Sequence, residues 1–368
     1  SISDVLTFLI MQTLFVLCLV AVSLAYKTTV LIKDTDFYIN GEITYSNAKN
    51  SSVRGLLLNS RMINAIFDDA NEGTLYLWKY PDTGQWDPNR NTNEFAGNIS
   101  MYKSYGMLSF TVGLQGGNPF GYGYNEPNNI SGQPWIVSAY KSDGTLIPAY
   151  FTRLEKIIQN ADDHGMIPIV QLFYPAQQSK MENDNARMKA INNTLDWILS
   201  KGYTNILIEV ANECNLNGND ILSVNNMPNL MKYIREYTNG KYYISSSTTG
   251  GYIPDDAYID AADFVLLHGN GQNANGIAHM IDQVRSTNAY KSKPKPIIFN
   301  EDDHYDFSSS NSNFEAAITR HASWGLFADC NQQNAGDYIH GYQCVPPAWN
   351  HNTQLKLSWF EAVKSATS

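Results

Sequence analysis

The chain has 368 residues, which is enough for one large domain with a single core or for two small domains. Its 43% hydrophobic and 16% charged residues exclude a disordered protein. Its net charge of −10 and pI of about 5.1 argue against nucleic acids and anionic membranes as partners, because an acidic surface repels both.

The N-terminal segment has the pattern of a secretory signal. Residues 14–22 are apolar, and the small residues 23–25 follow them, as signal peptidase requires. We expect residues 1–25 to be a signal peptide, with Met11 as an alternative start, and the mature protein to be secreted. An uncleaved anchor is the alternative, because residues 5–25 are just long enough to span a bilayer.

Sequons and cysteines agree with an extracellular route. Cys330 and Cys344 flank a loop rich in Asn, Gln and Gly, which favours a local disulfide. Cys214 is then left over, and we expect it to be a free, buried packing residue rather than a catalytic thiol. Glycosylation is expected at the four N-x-S/T sequons, which begin at Asn50, Asn98, Asn129 and Asn192.

Residues 26–49 form the first predicted structural unit. Side chains alternate in character on both sides of Asn40-Gly41, a dipeptide typical of two-residue β-hairpin turns. We expect this hairpin to lead into a barrel and to plug its bottom.

Residues 50–368 alternate short apolar runs with helical patterns, as βα units do. Eight such units indicate an α/β fold of the (β/α)₈ TIM-barrel type. A nucleotide-binding sheet is the weaker alternative, since the sequence has no Gly-x-Gly-x-x-Gly or P-loop motif. The predicted strands are Val53–Leu58, Met107–Val112, Ile167–Phe173, Asn205–Val210, Tyr242–Ser246, Phe264–Leu267, Pro296–Phe299 and Trp324–Phe327.

The predicted helices alternate with these strands. The clearest has apolar side chains at helical spacing between Tyr150 and His164, and Gly165 follows as a stop signal. The others are predicted over residues 184–200, 227–238, 277–286, 313–323 and 356–365.

Two connections, after strands 1 and 2, are far longer than usual. They run from Asn59 to about Asn93 and from Gly113 to about Leu146. Long loops at the catalytic face of a barrel are usually substrate walls, although packing of the loops on themselves is equally compatible with the sequence. Their aromatic residues are Tyr76, Trp78, Tyr80, Trp86, Phe120, Tyr122, Tyr124 and Trp135.

Two predicted strands end in an Asn-Glu pair. Strand 4 runs into Asn212-Glu213 and strand 7 into Asn300-Glu301. Catalytic groups of TIM barrels lie at the C-terminal ends of strands, so the two carboxylates could face each other across the mouth. Glycosidic hydrolysis needs such a pair, one to protonate the leaving oxygen and one to stabilise or trap the sugar.

These two stretches resemble known signatures. Ile208–Glu213 resembles the fourth-strand motif of the clan A glycoside hydrolases, the cellulase- and mannanase-like, family-5-like (β/α)₈ enzymes. Ile297–Glu301 resembles their seventh-strand motif. The resemblance implies that Glu213 is the acid/base and Glu301 the nucleophile of a retaining mechanism.

The resemblance also implies substrate contacts. It places Asn212 near the sugar 2-hydroxyl, His268 at the site wall and Trp324 under the scissile sugar, with Trp349 as a rival for that position. Arg61 follows strand 1, and a structural salt bridge with Asp68 or Asp69 is as compatible with the sequence as substrate contact.

We therefore expect a secreted retaining glycoside hydrolase for a β-linked polysaccharide or oligosaccharide. No cofactor is expected, and no metal, since Asp68, Asp69 and Glu72 lack the spacing of a calcium loop. The alternative is a catalytically inactive barrel that binds carbohydrate or serves as a structural extracellular glycoprotein. The sequence leaves open the sugar, endo or exo action, transglycosylation and the oligomeric state.

Overall fold

A ring of parallel strands follows a short antiparallel sheet at the N-terminus. The computed structural model describes residues 26–121, 133–307, 309–329 and 340–368. The predicted signal peptide, the Asn129 sequon and Cys330 lie outside these residues. The strands are β1 (Val30–Lys33), β2 (Asp36–Ile39), β3 (Glu42–Ile43), β4 (Asn59–Ser60), β5 (Ser109–Gly113), β6 (Ile167–Phe173), β7 (Leu207–Ala211), β8 (Tyr243–Ser245), β9 (Val265–His268), β10 (Ile297–Glu301) and β11 (Gly325–Leu326).

Backbone hydrogen bonds join all eight neighbours of the ring from β4 to β11. Strands β5 to β8 form one parallel sheet, and β9 pairs with β10 and β11 with β4, also in parallel. A bridge between Arg61 and Thr111 joins β4 to β5, and one between Ile298 and Ser323 joins β10 to the start of β11. The Asp263 amide donates to the Ile244 carbonyl between β8 and β9. The predicted (β/α)₈ barrel is thereby confirmed.

Helices lie between successive barrel strands, as the βα pattern predicts. They begin with proline or with a capping side chain in most cases; Asp87, for example, accepts hydrogen bonds from the Asn89 and Arg90 amides. The helices are α1 (Pro88–Ser104), α2 (Pro148–Asp163), α3 (Pro175–Gln178), α4 (Asp184–Lys201), α5 (Met227–Tyr237), α6 (Asp256–Ala261), α7 (Ala274–Ser286), α8 (Asn288–Ser292), α9 (Asn313–Ile318) and α10 (Gln354–Thr367).

Several predicted boundaries were wrong; the helix predicted over residues 313–323, for example, ends at Ile318. The first long connection ends at α1, which starts at Pro88 rather than near Asn93. Strand 1 was predicted over Val53–Leu58, but Ser51–Val53 is a 3₁₀ turn and pairing begins at Asn59. Gly55 explains the shift: its φ is +81°, and a Cβ there would lie 2.3 Å from Asp36 Oδ1, so the chain turns before it extends.

The N-terminal hairpin forms at the predicted turn. Asn40 and Gly41 both have positive φ, 54° and 81°, which suits a type I′ turn between β2 and β3. Phe37 on β2 is fully buried at one end of the barrel interior. It belongs to a cluster of buried side chains from the barrel strands and the residues that precede them, namely Leu57, Leu108, Ile167, Ile169, Leu207, Phe264, Leu266 and Ile298.

The aromatic side chains of the long connections mostly pack on each other. Trp78 and Trp135 are buried with their rings 6.3 Å apart, and Tyr80 stacks on Trp86 at 5.8 Å. Tyr76 is 58% exposed. Tyr122 and Tyr124 lie outside the described residues. For the described residues, self-packing therefore accounts for these aromatics better than a substrate wall.

The cysteines and sequons are placed as follows. Cys214 is free and buried, as predicted, and burial raises the pKa of its thiol to about 11. Asn50 caps a 3₁₀ turn, Asn98 lies on α1, and Asn192 on α4 accepts a hydrogen bond from the Tyr233 hydroxyl. Glycosylation and the Cys330–Cys344 disulfide stay predictions. Within the described ranges, no helix has both the length and the apolar character needed to cross a membrane.

Replacing Phe37 with alanine should destabilise the protein by about 3–5 kcal/mol, because the change leaves a cavity in a fully buried cluster. Tyr76→Ala, which removes a side chain that is 58% exposed, should change the free energy of unfolding by less than about 0.5 kcal/mol. Denaturant unfolding of both variants measures this difference. Equal effects would show that the hairpin does not plug the barrel.

Candidate active site

Glu213 lies in a turn just beyond the C-terminal end of β7. Its backbone is left-handed, with φ 43° and ψ 52°, and a 3₁₀ turn over Cys214–Leu216 follows. Residues other than glycine rarely adopt this conformation, which costs about 1–3 kcal/mol and recurs at functional sites. The glutamate side chain remains 20% exposed and lines a cavity at the barrel mouth.

Glu301 ends β10 and is 7% exposed. Arg61 Nε lies 2.7 Å from its Oε2 atom, and Asn270 Nδ2 donates to its Oε1 atom at 3.1 Å. Both carboxylate oxygens thus have fixed partners, so the orientation of the carboxylate is set by residues that follow β4 and β9.

The two glutamates approach each other across His268, which ends β9 and is fully buried. His268 Nδ1 lies 3.0 Å from Glu213 Oε1 and 3.5 Å from Glu301 Oε2. One carboxylate oxygen of each glutamate and a ring nitrogen of His268 all lie within 4.8 Å of one another. The fold therefore brings together Glu213, Glu301 and His268, which the sequence places at three strand ends.

Arg61 connects the predicted residues further. Its Nη2 atom donates to Gln171 Oε1 and to Asn212 Oδ1, both at 2.6 Å. The predicted alternative, a salt bridge with Asp68 or Asp69, is wrong: Arg61 pairs with Glu301 instead. Because its carbonyl is bound to Arg61, Asn212 has its Nδ2 group left to donate, and no described residue accepts from it.

A cavity of about 330 Å³ opens above these groups. Among the residues that the structure describes, the lining is Arg61, Tyr174, Asn212, Glu213, Asn270, Glu301, Asp303, Tyr305, Phe327 and Asp329.

Trp324 and Trp349 do not line this cavity. Trp324 is fully buried and packs on Trp359, and its indole nitrogen donates to Asp302 Oδ2 at 2.9 Å. Trp349 is buried against Tyr342, and its indole nitrogen donates to Asn91 Oδ1. The structure contradicts a sugar-stacking role for both, because neither ring presents a face to the cavity.

Other aromatic side chains occupy the cavity wall. Tyr174 follows β6, Tyr305 follows β10 and Phe327 follows β11. None of these three was predicted from the sequence, and neither were Gln171 and Asn270. Their position just past a barrel strand was a usable signal, and Gln171 also stood out as a polar residue inside an apolar run.

Burial and charge act on the three central groups in opposite directions. Burial works to raise the pKa of Glu213, but the hydrogen bond and charge of His268, with Arg61, leave it lowered. Burial raises the pKa of Glu301, and His268 and Arg61 offset this only in part. Burial works to lower the pKa of His268, but the two carboxylates raise it.

In the part of the chain that the structure describes, two clusters have the composition of a metal site. The first is Glu213, His268 and Glu301, and the second is Asp302, Asp303 and His304. In the first, the Arg61 guanidinium already neutralises Glu301 at 2.7 Å and would repel a cation. In the second, Asp302 is fully buried and accepts hydrogen bonds from Asn313 and Trp324. We assign no metal to either.

Comparison with solved structures identifies the architecture. A family 5 mannosidase from Rhizomucor miehei superposes with a TM-score of 0.56 at 11% identity over 93% of this chain and 98% of that one. A family 5 enzyme from Prevotella bryantii B14 gives 0.56 at 10% identity over 88% and 99%. The fold is that of the family 5 glycoside hydrolases.

A further structure differs in length. A protein from Bacteroides vulgatus ATCC 8482 gives a TM-score of 0.52 at 12% identity over 88% of this chain, which spans 59% of that protein. No protein-family model matches the sequence, and a search of curated proteins found no match to it. At these identities the likeness concerns the fold alone.

The isosteric variants Glu213→Gln and Glu301→Gln should change stability in opposite directions at neutral pH. The lowered pKa of Glu213 means that its ionised form stabilises the fold above about pH 4.5, so the glutamine variant loses stability there. The raised pKa of Glu301 means that ionisation destabilises the fold as pH rises, so its glutamine variant gains stability.

Thermal unfolding from pH 4 to pH 8 measures both differences, and each should shrink toward acid pH as the native carboxylates become protonated. Changes of the same sign in both variants would contradict the pKa directions described above.

Proposed function

We propose that this protein is a retaining glycoside hydrolase that cleaves β-linked polysaccharides or oligosaccharides. The observation that carries the proposal is the pair Glu213 and Glu301 at the C-terminal ends of β7 and β10, with one carboxylate oxygen of each within 4.8 Å of the other, facing a cavity of about 330 Å³. The shared fold supports the proposal without fixing the activity.

The carboxylate separation favours retention of configuration. In retaining enzymes the two carboxyl groups lie about 5–5.5 Å apart, whereas inverting enzymes need about 6.5–9.5 Å to admit a water molecule. One oxygen of Glu213 and one of Glu301 lie within 4.8 Å of each other, which fits the first arrangement better than the second.

In the first step, a Glu301 oxygen attacks the anomeric carbon and the glycosidic bond breaks, while Glu213 gives its proton to the leaving oxygen. The product is a glycosyl ester on Glu301. In the second step, Glu213 takes a proton from water, the water oxygen attacks the anomeric carbon, and the ester bond to Glu301 breaks. Arg61 assists by favouring the ionised form of Glu301 and by holding its carboxylate in place.

The proton that Glu213 donates must first reach it, since the resting pKa of Glu213 is lowered. His268 Nδ1, 3.0 Å from Glu213, is positioned to supply it. Substrate binding removes water from the exposed part of Glu213 and so raises its pKa. Esterification of Glu301 removes its negative charge from the vicinity of Glu213. The ionised form of Glu213 is then favoured, and Glu213 acts as the base of the second step.

Two further groups support substrate binding. Asn212 Nδ2 is a donor beside the catalytic pair, where the resemblance places the sugar 2-hydroxyl. Tyr174, Tyr305 and Phe327 provide aromatic surface in the cavity, which suits the apolar faces of sugar rings.

The alternative is an inactive barrel that binds carbohydrate. The ion pair between Arg61 and the largely buried Glu301 would suit it, because such a pair is also found in purely structural settings. Against it, Glu301 still lines an open cavity and Glu213 keeps an exposed carboxylate beside it. A structural ion pair alone does not require that second glutamate.

An uncharged substrate fits the cavity better than an acidic one. Glu213, Glu301, Asp303 and Asp329 all line it, and its one cation among the described lining residues, Arg61, is paired with Glu301. We predict that kcat/KM for a carboxymethylated glucan is about tenfold lower than for the matching neutral glucan at low salt. Added salt and the Asp303→Asn variant should both reduce this difference in kcat/KM. A higher kcat/KM for the acidic polymer would contradict the prediction.

The central experiment compares the wild type with Glu301→Gln on a panel of polysaccharides, with reducing ends as the readout. The variant should lose activity by a factor of about 10⁶ in kcat, the loss seen when a hydrolase loses its nucleophile. Glu236→Gln, the same change at an exposed helix position, is the matched control and should keep full activity.

Equal activity of the wild type and Glu301→Gln would rule out the nucleophile assignment. A wild type inactive on every polysaccharide would instead favour the carbohydrate-binding alternative.

We also propose that the enzyme acts outside the cell, on the basis of the apolar residues 14–22 and the sequons. When the chain is expressed from Met11 in a eukaryotic host, protein should be recovered from the culture medium. Its first residue should be the one that follows Ala25. N-terminal sequencing measures this, and intracellular protein that retains residues 14–22 would contradict it.

A further inference from the structure

A third glutamate lies beneath the catalytic pair. Glu209 on β7 is fully buried, and its side chain contacts groups that hold both Glu213 and Glu301. We propose that Glu209, together with Ser247, is a positioning unit that fixes the two catalytic glutamates relative to each other. This inference rests on the proposed hydrolase function.

One oxygen of Glu209 supports the acid/base turn through Ser247. The Ser247 hydroxyl donates to Glu209 Oε1 at 2.6 Å and accepts from the Glu213 amide at 3.0 Å. The Ser247 backbone also donates to the Ala211 carbonyl and accepts from the Cys214 amide. One residue therefore holds the turn on both sides of Glu213.

This support is needed because the Glu213 backbone is left-handed, with φ 43°. The Ser247 hydroxyl has one proton, which it donates to Glu209. A lone pair of the hydroxyl oxygen is therefore directed to the Glu213 amide. The carboxylate of Glu209 thereby fixes the direction in which Ser247 accepts, and with it the direction of the catalytic side chain.

The other oxygen of Glu209 supports the nucleophile. Asn300 Nδ2, one residue before Glu301, donates to Glu209 Oε2 at 3.1 Å. Arg61 Nη1 lies 3.9 Å from the same oxygen, while its Nε atom binds Glu301. Glu209 thus restrains β10 from one side and the arginine partner of Glu301 from another.

Stability alone does not account for a carboxylate at this depth. Burying a charge is costly, and an apolar side chain of similar size often stabilises a core as well or better. Glu209 accepts hydrogen bonds from Ser247, which binds the Glu213 amide, and from Asn300, which precedes Glu301. These connections favour a role for Glu209 in the geometry and charge of the catalytic pair.

Glu209 also contributes charge to the site. The ionisable groups that face Glu301 are Arg61 after β4, Glu209 and Glu213 from β7 and its turn, and His268 on β9, with Asp302 beside it on its own segment. Removing the negative charge of Glu209 makes ionisation of Glu301 easier, so the pKa of Glu301 should fall.

The first test replaces Ser247 with alanine. Loss of the hydroxyl frees the Glu213 turn, and kcat should fall about 10- to 100-fold, the effect of misplacing a catalytic group by up to 1 Å. KM should change little, because the cavity lining stays intact. Ser245→Ala is the matched control: Ser245 is equally buried two residues away, and its hydroxyl donates to the Ser246 carbonyl rather than to a glutamate.

Two outcomes of this test would overturn the inference. One is a Ser247→Ala enzyme with the kcat of the wild type. The other is an equal loss in Ser245→Ala, which would indicate general disruption of the strand end.

The second test is Glu209→Gln, which keeps the shape but removes the charge and directs an amide hydrogen at Asn300 or Ser247. The acid limb of the kcat/KM profile, set by Glu301, should move to lower pH. A purely structural role would lower the melting temperature and leave this limb unmoved, which would overturn the inference.

A substrate-free measurement separates this inference from the hydrolase proposal. Carboxyl ¹³C NMR of glutamate-labelled protein, assigned with Glu301→Gln, should show Glu301 titrating at lower pH in Glu209→Gln. An inactive wild type would count against the hydrolase alone, whereas an unchanged titration of Glu301 would overturn the positioning role of Glu209.

Discussion

The ion pair between Arg61 and Glu301 is the interaction on which the rest of the site depends. It joins the end of β4 to the end of β10 at 2.7 Å inside the barrel mouth, where both side chains are almost free of solvent. The same guanidinium holds Asn212 and Gln171. Its single positive charge therefore permits several carboxylates and amides to share a small, poorly hydrated volume.

The barrel determines where these groups meet. Its strands are parallel, so their C-terminal ends lie at one face and bring Arg61, Glu213, His268 and Glu301 together from four strands. At the opposite end the hairpin inserts Phe37 into the interior. The apolar cluster can therefore supply stability while the mouth retains buried charge and a left-handed glutamate.

Sequence patterns predicted the parts that follow from periodicity. Local sequence patterns were enough to predict the order of the eight strands, the Asn40-Gly41 turn and the Asn-Glu pairs at two strand ends. Trp324 and Trp349 were misassigned because an apolar ring near a strand end packs equally well inward or outward. Glu209 and Ser247 were missed because their roles depend on contacts 38 residues apart, and only tertiary structure creates those contacts.

The central claim, that Glu301 is the nucleophile and Glu213 the acid/base, is tested most directly by trapping the glycosyl ester. A 2-deoxy-2-fluoro glycoside of the preferred sugar forms this ester quickly and releases it slowly. Peptide mass spectrometry of the treated protein should find one label, on Glu301, and Glu213→Gln should still accept the label from a reagent with a good leaving group. A label on another residue, or turnover of substrate with inverted configuration, would contradict the account.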